Sequence, residues 1–157
     1  MTLEYQKFVN HIIYEIYLLP VNQRTTSSIL HIVHEKQQEI GKNTFFKSGC
    51  DYIAFAQIID HLLQQTDFYQ DKHAWYCPLW KGVNPSNRKT FRLDHTVISH
   101  ENKQVRFRKF FVECSSHALE DYAQKAILCS EHMFQAKPTS VEYVNLTTGE
   151  HHILHVA

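Results

Sequence analysis

The fold class is decided by residues 91–97, which read FRLDHTV. One face of an extended chain receives Phe91, Leu93, His95 and Val97, and the other face receives Arg92, Asp94 and Thr96. A period of two is typical of a β-strand with one buried face. We therefore predict a strand here, and the remaining elements can be placed on either side of it.

A second strand follows after a turn at residues 100–103. Val105 and Phe107 alternate with Arg106 and Arg108, so the two segments together predict a β-hairpin. The alternation weakens at residues 109–111, where the strand is either covered on both faces or interrupted by a bulge.

Toward the N-terminus the apolar residues recur every three or four positions, which is the period of an amphipathic helix. Residues 1–66 predict three such helices. The first ends at Pro20, which cannot continue a helix, and Gly41 is placed to close the second. The third begins near Ser48.

The rest of the chain completes an α+β pattern. The aromatic run at residues 75–80 predicts a short strand, a fourth helix begins at Ser115 or Ser116, and residues 141–156 predict a second hairpin. We expect an N-terminal three-helix layer packed with a small antiparallel sheet of β-β-α-β-β order. We expect one compact domain over residues 1–157, with a helical part at about 1–66 and an α+β part at about 73–157.

Composition excludes several classes of protein. The chain has 157 residues, 43% of them hydrophobic and only four of them glycine, which excludes a disordered or collagen-like chain. Sixteen basic and sixteen acidic residues exclude a uniformly basic nucleic-acid binder. There is no secretory signal pattern and no apolar run of about 18 residues, and the four cysteines are widely spaced. We therefore expect free thiols, a cytoplasmic location and no membrane association.

The neutral total hides an uneven charge distribution. Residues 81–109 contain eight bases against two acids, a net charge of +6. This excess predicts a surface that binds an acidic protein or nucleic acid, with one tryptophan as a stacking platform for bases. The alternative is that the arginines protect an edge strand or pair with nearby acids. The candidate binding residues are Trp80, Arg88, Lys89, Arg92, Arg106 and Arg108.

Three functional hypotheses follow. The first is a non-catalytic adaptor or regulatory protein that binds an acidic partner through the basic hairpin, or that forms a homodimer through the aromatic run at residues 75–80. The second is a nucleic-acid-binding protein that uses the same hairpin. The third is a thiol-dependent enzyme at Cys114, which precedes a predicted helix whose N-terminus would favour the thiolate. Because the sequence has no phosphate-binding loop or dinucleotide motif, we expect no cofactor.

Two groups of histidines resemble metal ligands in spacing only. His31 and His34 lie with Glu35 on one predicted helical turn. The adjacent His34 and Glu35 diverge on a helix, and the zinc-protease motif, with two histidines four residues apart around a glutamate, is absent. His151, His152 and His155 lie on a predicted strand without nearby thiolates. We expect neither group to be a metal site.

Overall fold

The computed structural model describes residues 2–41 and 48–156. In chain order its elements are α1 (Thr2–Leu18), a short 3-10 helix (Val21–Gln23), α2 (Thr26–Ile40), α3 (Gly49–Leu63), α4 (Thr66–Tyr69), β1 (Ala74–Val83), β2 (Thr90–Glu101), β3 (Gln104–Phe111), α5 (Ser116–Phe134), β4 (Ser140–Asn145) and β5 (His151–His155). Helices and a five-stranded sheet confirm the α+β class. None of the described helices has both the length and the hydropathy needed to cross a bilayer.

The described residues group into two compact units. The helical unit contains the chain up to Lys72 together with residues 110–113 and 145–150, and the sheet unit contains residues 73–109, 114–144 and those from 151 onward. The single domain expected from the sequence stays a prediction.

The helical unit is built as the apolar period predicts. The core residues of α1, α2 and α3 are Tyr5, Phe8, Val9, Ile12, Ile13, Ile16, Ile29, Ile32, Val33, Phe55, Ile58 and Leu62. Gly41 ends α2 with a φ of 84°, a backbone conformation that favours glycine. At the start of α3, Ser48 and Asp51 form a capping box, which satisfies backbone N–H groups of the first turn.

Arg24 joins the end of α1 to α4 within the helical unit. Its guanidinium donates hydrogen bonds to the carbonyl oxygens of Leu19, Tyr17 and Tyr69 at 2.9, 3.2 and 2.9 Å. Burial lowers the pKa of Arg24, although Tyr17 and Asp71 favour its charged form. The buried cation is thus compensated mainly by carbonyl dipoles.

The strand order in the sheet is β1-β2-β3-β4-β5. The pairs β1–β2, β2–β3 and β4–β5 are antiparallel. The pair β3–β4 is parallel. Near the start of both strands, the amide of Thr139 donates to the carbonyl of Val105, and near the end of both strands, the amide of Leu146 donates to the carbonyl of Phe111. The sheet is therefore mixed, and the expectation of an entirely antiparallel sheet is wrong for this pair. The parallel direction of β3 and β4 follows from α5, because this helix forms the crossover that a parallel connection requires.

Helix α5 is fixed on the sheet by a buried hydroxyl network. The hydroxyl of Thr96 donates to the carbonyl of Arg108 at 3.0 Å, so Tyr122 donates its own hydroxyl hydrogen to Thr96 at 2.9 Å. Burial raises the pKa of Tyr122 well above the usual phenol value, so this donor stays protonated.

Candidate interaction surface

The six residues predicted to bind a partner separate into two groups. Trp80, Arg88, Lys89 and Arg92 belong to the β1–β2 hairpin, whereas Arg106 and Arg108 lie on β3. Arg92 pairs with Lys81 of β1, and Arg108 pairs with Val97 of β2. Arg92 and Val97 are five residues apart on one strand, or about 16 Å along it. The structure therefore does not bring the two groups together.

Arg108 is buried in an ion pair. Its Nε atom lies 2.8 Å from Oε2 of Glu142, and the two side chains are only 7% and 6% exposed. Ser140 donates its hydroxyl to Oε1 of Glu142 at 3.1 Å, and Nε2 of His151 lies 3.5 Å from Oε2. Because a buried guanidinium needs a compensating charge, Glu142 accounts for the burial of Arg108.

This pairing corrects the expectation that Arg108 belongs to the partner-binding surface together with Arg106. Arg108 is buried, and Arg106 is half-buried opposite Ser99 with an interaction partner of its own. The carboxylate comes from β4, 34 residues further along the chain. Sequence periodicity does not reveal such a neighbour, since it lies across the crossover formed by α5.

The four remaining residues lie on a two-stranded extension of the sheet. We call residues 79–94 the basic ribbon. β3 pairs with β2 over Val97–Glu101, whereas β1 pairs with β2 as far as Val83 and Thr90. The outer part of the hairpin thus has the form of two strands and a turn.

Between residues 81 and 92 the basic ribbon presents cations with no acid among them. Lys81, Arg88, Lys89 and Arg92 are all exposed, and the sequence from 81 to 92 contains no Asp or Glu. None of the four forms an ion pair with a carboxylate in the part of the chain that the structure describes. Lys81 and Arg92 are cross-strand neighbours, so two positive charges share one face. This is a local site of net positive charge, because Asp94, the acid that interacts with Arg92, is itself ion-paired with Lys109.

The turn that carries Arg88 and Lys89 is held by side-chain hydrogen bonds. Oδ1 of Asn84 accepts the amide of Ser86, and Oδ1 of Asn87 accepts the amide of Lys89, both at 2.9 Å. The amide of Arg88 donates to the carbonyl of Asn84 at 2.8 Å, and Arg88 has a φ of 56°. Asx turns of this kind fix a loop locally, so the two cations are displayed on an ordered turn.

Trp80 is occupied by neighbours within the sheet unit. Its ring lies 5.2 Å from that of Phe91 and 5.5 Å from that of His132 in α5. It also covers Gly82, where an added Cβ would lie 2.3 Å from Cη2 of the indole. The ring therefore packs the ribbon against α5, and a base-stacking role for it stays a prediction.

The strand that carries Trp80 is irregular. Trp75 contacts Phe134 and Trp80 contacts His132, so both tryptophans reach α5 although residues five apart point to opposite faces of a regular strand. Pro78 and His95 are not paired in the β1–β2 ladder, and His95 has a left-handed backbone with a φ of 48°. The Nδ1 atom of His95 lies 2.7 Å from the hydroxyl of Tyr76. A homodimer through residues 75–80 stays a prediction.

Two exposed apolar side chains accompany the cations. Leu79 is 41% exposed and Val83 is 48% exposed. Leu79, Lys81 and Val83 alternate along β1, so they share the face that Arg92 occupies on β2. This face opens into a shallow depression of about 440 Å³. The exposed face of the ribbon is therefore both apolar and cationic.

The acid at the base of the ribbon is already paired. Oδ1 of Asp94 lies 3.0 Å from Nζ of Lys109, which also donates to the carbonyl of Asp94 at 2.8 Å. Burial, the largest single influence, raises the pKa of Asp94, but Lys109, His95 and Arg92 together lower it below the usual carboxyl value. Asp94 is thus ionised and engaged at neutral pH.

The structure offers little support for thiol-dependent catalysis by the cysteines. None of the four cysteines forms a disulfide bond. Cys114 is half-buried directly before Ser115, the N-cap residue of α5, so its predicted position at a strand-to-helix junction is confirmed. Burial raises the pKa of Cys77, and it raises that of Cys129 to about 12. A nucleophilic role for Cys114 stays a prediction.

The histidine groups have ordinary structural partners. Nε2 of His31 lies 3.2 Å from Glu35 on an exposed face of α2. The ring of His152 stacks on Tyr143, with centroids 4.7 Å apart. Over residues 2–41 and 48–156, no group of three His, Cys, Asp or Glu side chains is arranged to hold a metal ion.

Comparison with known proteins assigns no family to the chain. No protein-family model matches it, and no curated protein matches it in sequence. A function for the chain is therefore inferred from the geometry of the basic ribbon.

Proposed function

We propose that the protein is a non-catalytic binding protein that takes an acidic protein segment on the exposed face of the basic ribbon. The observation that carries the proposal is the placement of Lys81 and Arg92 between the exposed apolar side chains of Leu79 and Val83, with no acid from 81 to 92. A partner that combines carboxylates with apolar side chains complements this face.

The mixed character of the face favours protein over nucleic acid. Contacts to phosphates need cations and hydrogen-bond donors, and they make no use of exposed leucine or valine. In protein interfaces, a few central residues, arginine among them, supply most of the affinity, neighbouring apolar side chains exclude water from them, and surrounding charges supply orientation and association rate. Packing of Trp80 on Phe91 and Gly82 also leaves the indole less suited to stack on a base.

Binding of nucleic acid is the second candidate, because the major groove of DNA admits a two-stranded β-ribbon. The outer part of the β1–β2 hairpin has this form, and its turn carries Arg88 and Lys89.

Fluorescence anisotropy distinguishes the two candidates with three labelled probes. The first is a peptide of alternating Glu and Leu, the second is the same peptide with Lys in place of Glu, and the third is a duplex DNA of about two helical turns. We expect binding of the first peptide alone, at moderate ionic strength. Tighter binding of the duplex with a steep salt dependence would replace our proposal with the nucleic-acid alternative.

Substitutions in the ribbon test the same surface. The variant Lys81→Glu/Arg92→Glu removes both attractions and is expected to lower peptide affinity by about tenfold or more. The matched control is Lys72→Glu/Lys137→Glu, which reverses two exposed cations elsewhere. The variant Leu79→Ser/Val83→Ser should weaken binding of the acidic peptide and leave any binding of the duplex unchanged. Equal losses in the ribbon variant and its control would contradict the proposal.

A further inference from the structure

The second edge of the sheet is an exposed strand of unusual composition. Every residue of β5 is exposed, and Ile153 and Leu154 remain 48% and 50% exposed. The strand reads HHILH and contains no Lys, Arg, Asp or Glu. β4 pairs with one edge of β5, and the strand order ends there. In the part of the chain that the structure describes, the outer side of β5 is therefore an edge of the sheet, where a further strand can add.

The two edges of the sheet are treated differently by the sequence. β1 carries Pro78, which cannot donate a hydrogen bond, and the charged Lys81. Proline and lysine are common protections against strand pairing, and the cations of the ribbon would repel a second copy at this edge. β5 has neither protection. It has no Lys, Arg, Asp or Glu that would place a like charge opposite its equivalent in an identical strand.

We propose that β5 pairs with β5 of a second copy of the chain, antiparallel about a two-fold axis at Ile153. In this register Ile153 faces its own equivalent at the centre of the contact. His152 lies opposite Leu154 of the second copy, and His151 lies opposite His155. The strand is thus self-complementary, with apolar residues at its centre and polar residues at its ends, as an isologous contact requires.

A neighbouring groove adds apolar surface to this contact. It has a volume of about 320 Å³ between α5 and the strands β4 and β5, and its lining includes Leu119, Ala123, Tyr143 and His152, with Glu120 as its one acid. His152 is the cross-strand partner of Tyr143, so both lie on the sheet face that bears the groove. Pairing places Leu154 of the second copy beside His152 at the edge of the groove. The two-fold axis therefore brings two apolar grooves next to each other.

The size of the contact sets its strength. Two five-residue strands with their adjoining side chains fall near or below the lower limit of stable interfaces, about 1,200 Å² in total. We therefore expect a reversible dimer whose population rises with protein concentration. This inference is independent of the proposed function, because the basic ribbon lies at the opposite edge of the sheet.

Sedimentation velocity over about two orders of magnitude in concentration tests the dimer. The variant Ile153→Lys places two cations opposite each other and is expected to weaken association by about tenfold or more. Because Ile153 is exposed, the substitution leaves the core intact, which circular dichroism and the thermal midpoint verify. The control is Ile53→Lys, which introduces the same charge at an isoleucine of α3 that is 62% exposed. A wild-type protein that stays monomeric throughout the range, or an Ile153→Lys variant that associates like wild type, would overturn the proposal.

Cross-linking tests the register. In a Cys50→Ser background, Ile153→Cys should form an intermolecular disulfide, since directly opposed Cβ atoms lie about 4.5–5.5 Å apart. Leu154→Cys faces His152 of the second copy and should cross-link more slowly. Faster cross-linking at position 154 would exclude the two-fold axis at Ile153.

Discussion

Arg108 and Glu142 form a buried ion pair between two parallel strands, with a distance of 2.8 Å from Nε to Oε2. The pair connects β3 to β4, whose neighbouring positions depend on the crossover through α5. Desolvation of both charges makes such a pair specific in partner and costly to break.

Removal of one partner should therefore be strongly destabilising. The variant Glu142→Gln leaves Arg108 buried with a neutral neighbour, and we expect it to lower the free energy of unfolding by about 3–5 kcal/mol. Urea denaturation monitored by circular dichroism measures the change. The double variant Arg108→Met/Glu142→Leu should recover a large part of the loss, because no unpaired charge remains. Losses that simply add in the double variant would show that the two side chains are not coupled.

The ion pair between Asp94 and Lys109 should make stability depend on pH in the acidic range. The folded-state pKa of Asp94 is lowered, so its carboxylate stabilises the fold above the unfolded pKa of about 3.9 and this contribution is lost as pH falls through the folded value. We expect Asp94→Asn to be less stable than wild type at neutral pH, and the difference to disappear in acid below the folded pKa. Urea midpoints measured from neutral pH into this acidic range test the sign. A difference that persists below the folded pKa would mean that Asp94 acts by something other than its charge.

Gly82 should be difficult to replace because Trp80 covers it. A Cβ at this position would lie 2.3 Å from the indole, so Gly82→Ala must displace the ring and is expected to cost about 1–3 kcal/mol. Gly49→Ala is the control, because no atom lies within 4 Å of a Cβ added there. Thermal unfolding measures both variants, and tryptophan emission reports the displacement. Equal stability of the two variants would contradict the packing described for Trp80.

Thiol accessibility should rank the cysteines. Exposed Cys50 should react first with iodoacetamide, and buried Cys129, with its pKa raised to about 12, should react only after unfolding. Peptide mapping after timed labelling at several pH values gives each rate. A rate for Cys114 above that of an ordinary exposed thiol, with an apparent pKa below about 8.5, would support the thiol-enzyme hypothesis. An ordinary rate would remove it.

Features determined by neighbouring residues could be predicted from the sequence. The helical period located α1 to α3, and the chemistry of Gly41 and Ser48 located two of their ends. The alternation at residues 91–97 located β2, because burial of one face imposes a period of two. The cations of the ribbon were also predictable, since turn and flanking strands are contiguous in sequence.

Features that depend on distant residues could not be predicted in this way. The pairing of β3 with β4 follows from the path of α5, so neither the parallel direction nor the partner of Arg108 is visible in local periodicity. The left-handed backbone of His95 also lacks a local signal, because its stabilising contact is with Tyr76 on the neighbouring strand. Charge counting therefore placed Arg106 and Arg108 in the same surface as Arg92.

The packing of Trp80 on α5 has a consequence for the direction in which the cations face. Since Trp80 and Lys81 are adjacent on a strand, the ammonium group of Lys81 lies on the side of the hairpin opposite the indole. The positive potential of the ribbon is therefore turned away from α5, and an acidic partner reaches it without meeting that helix.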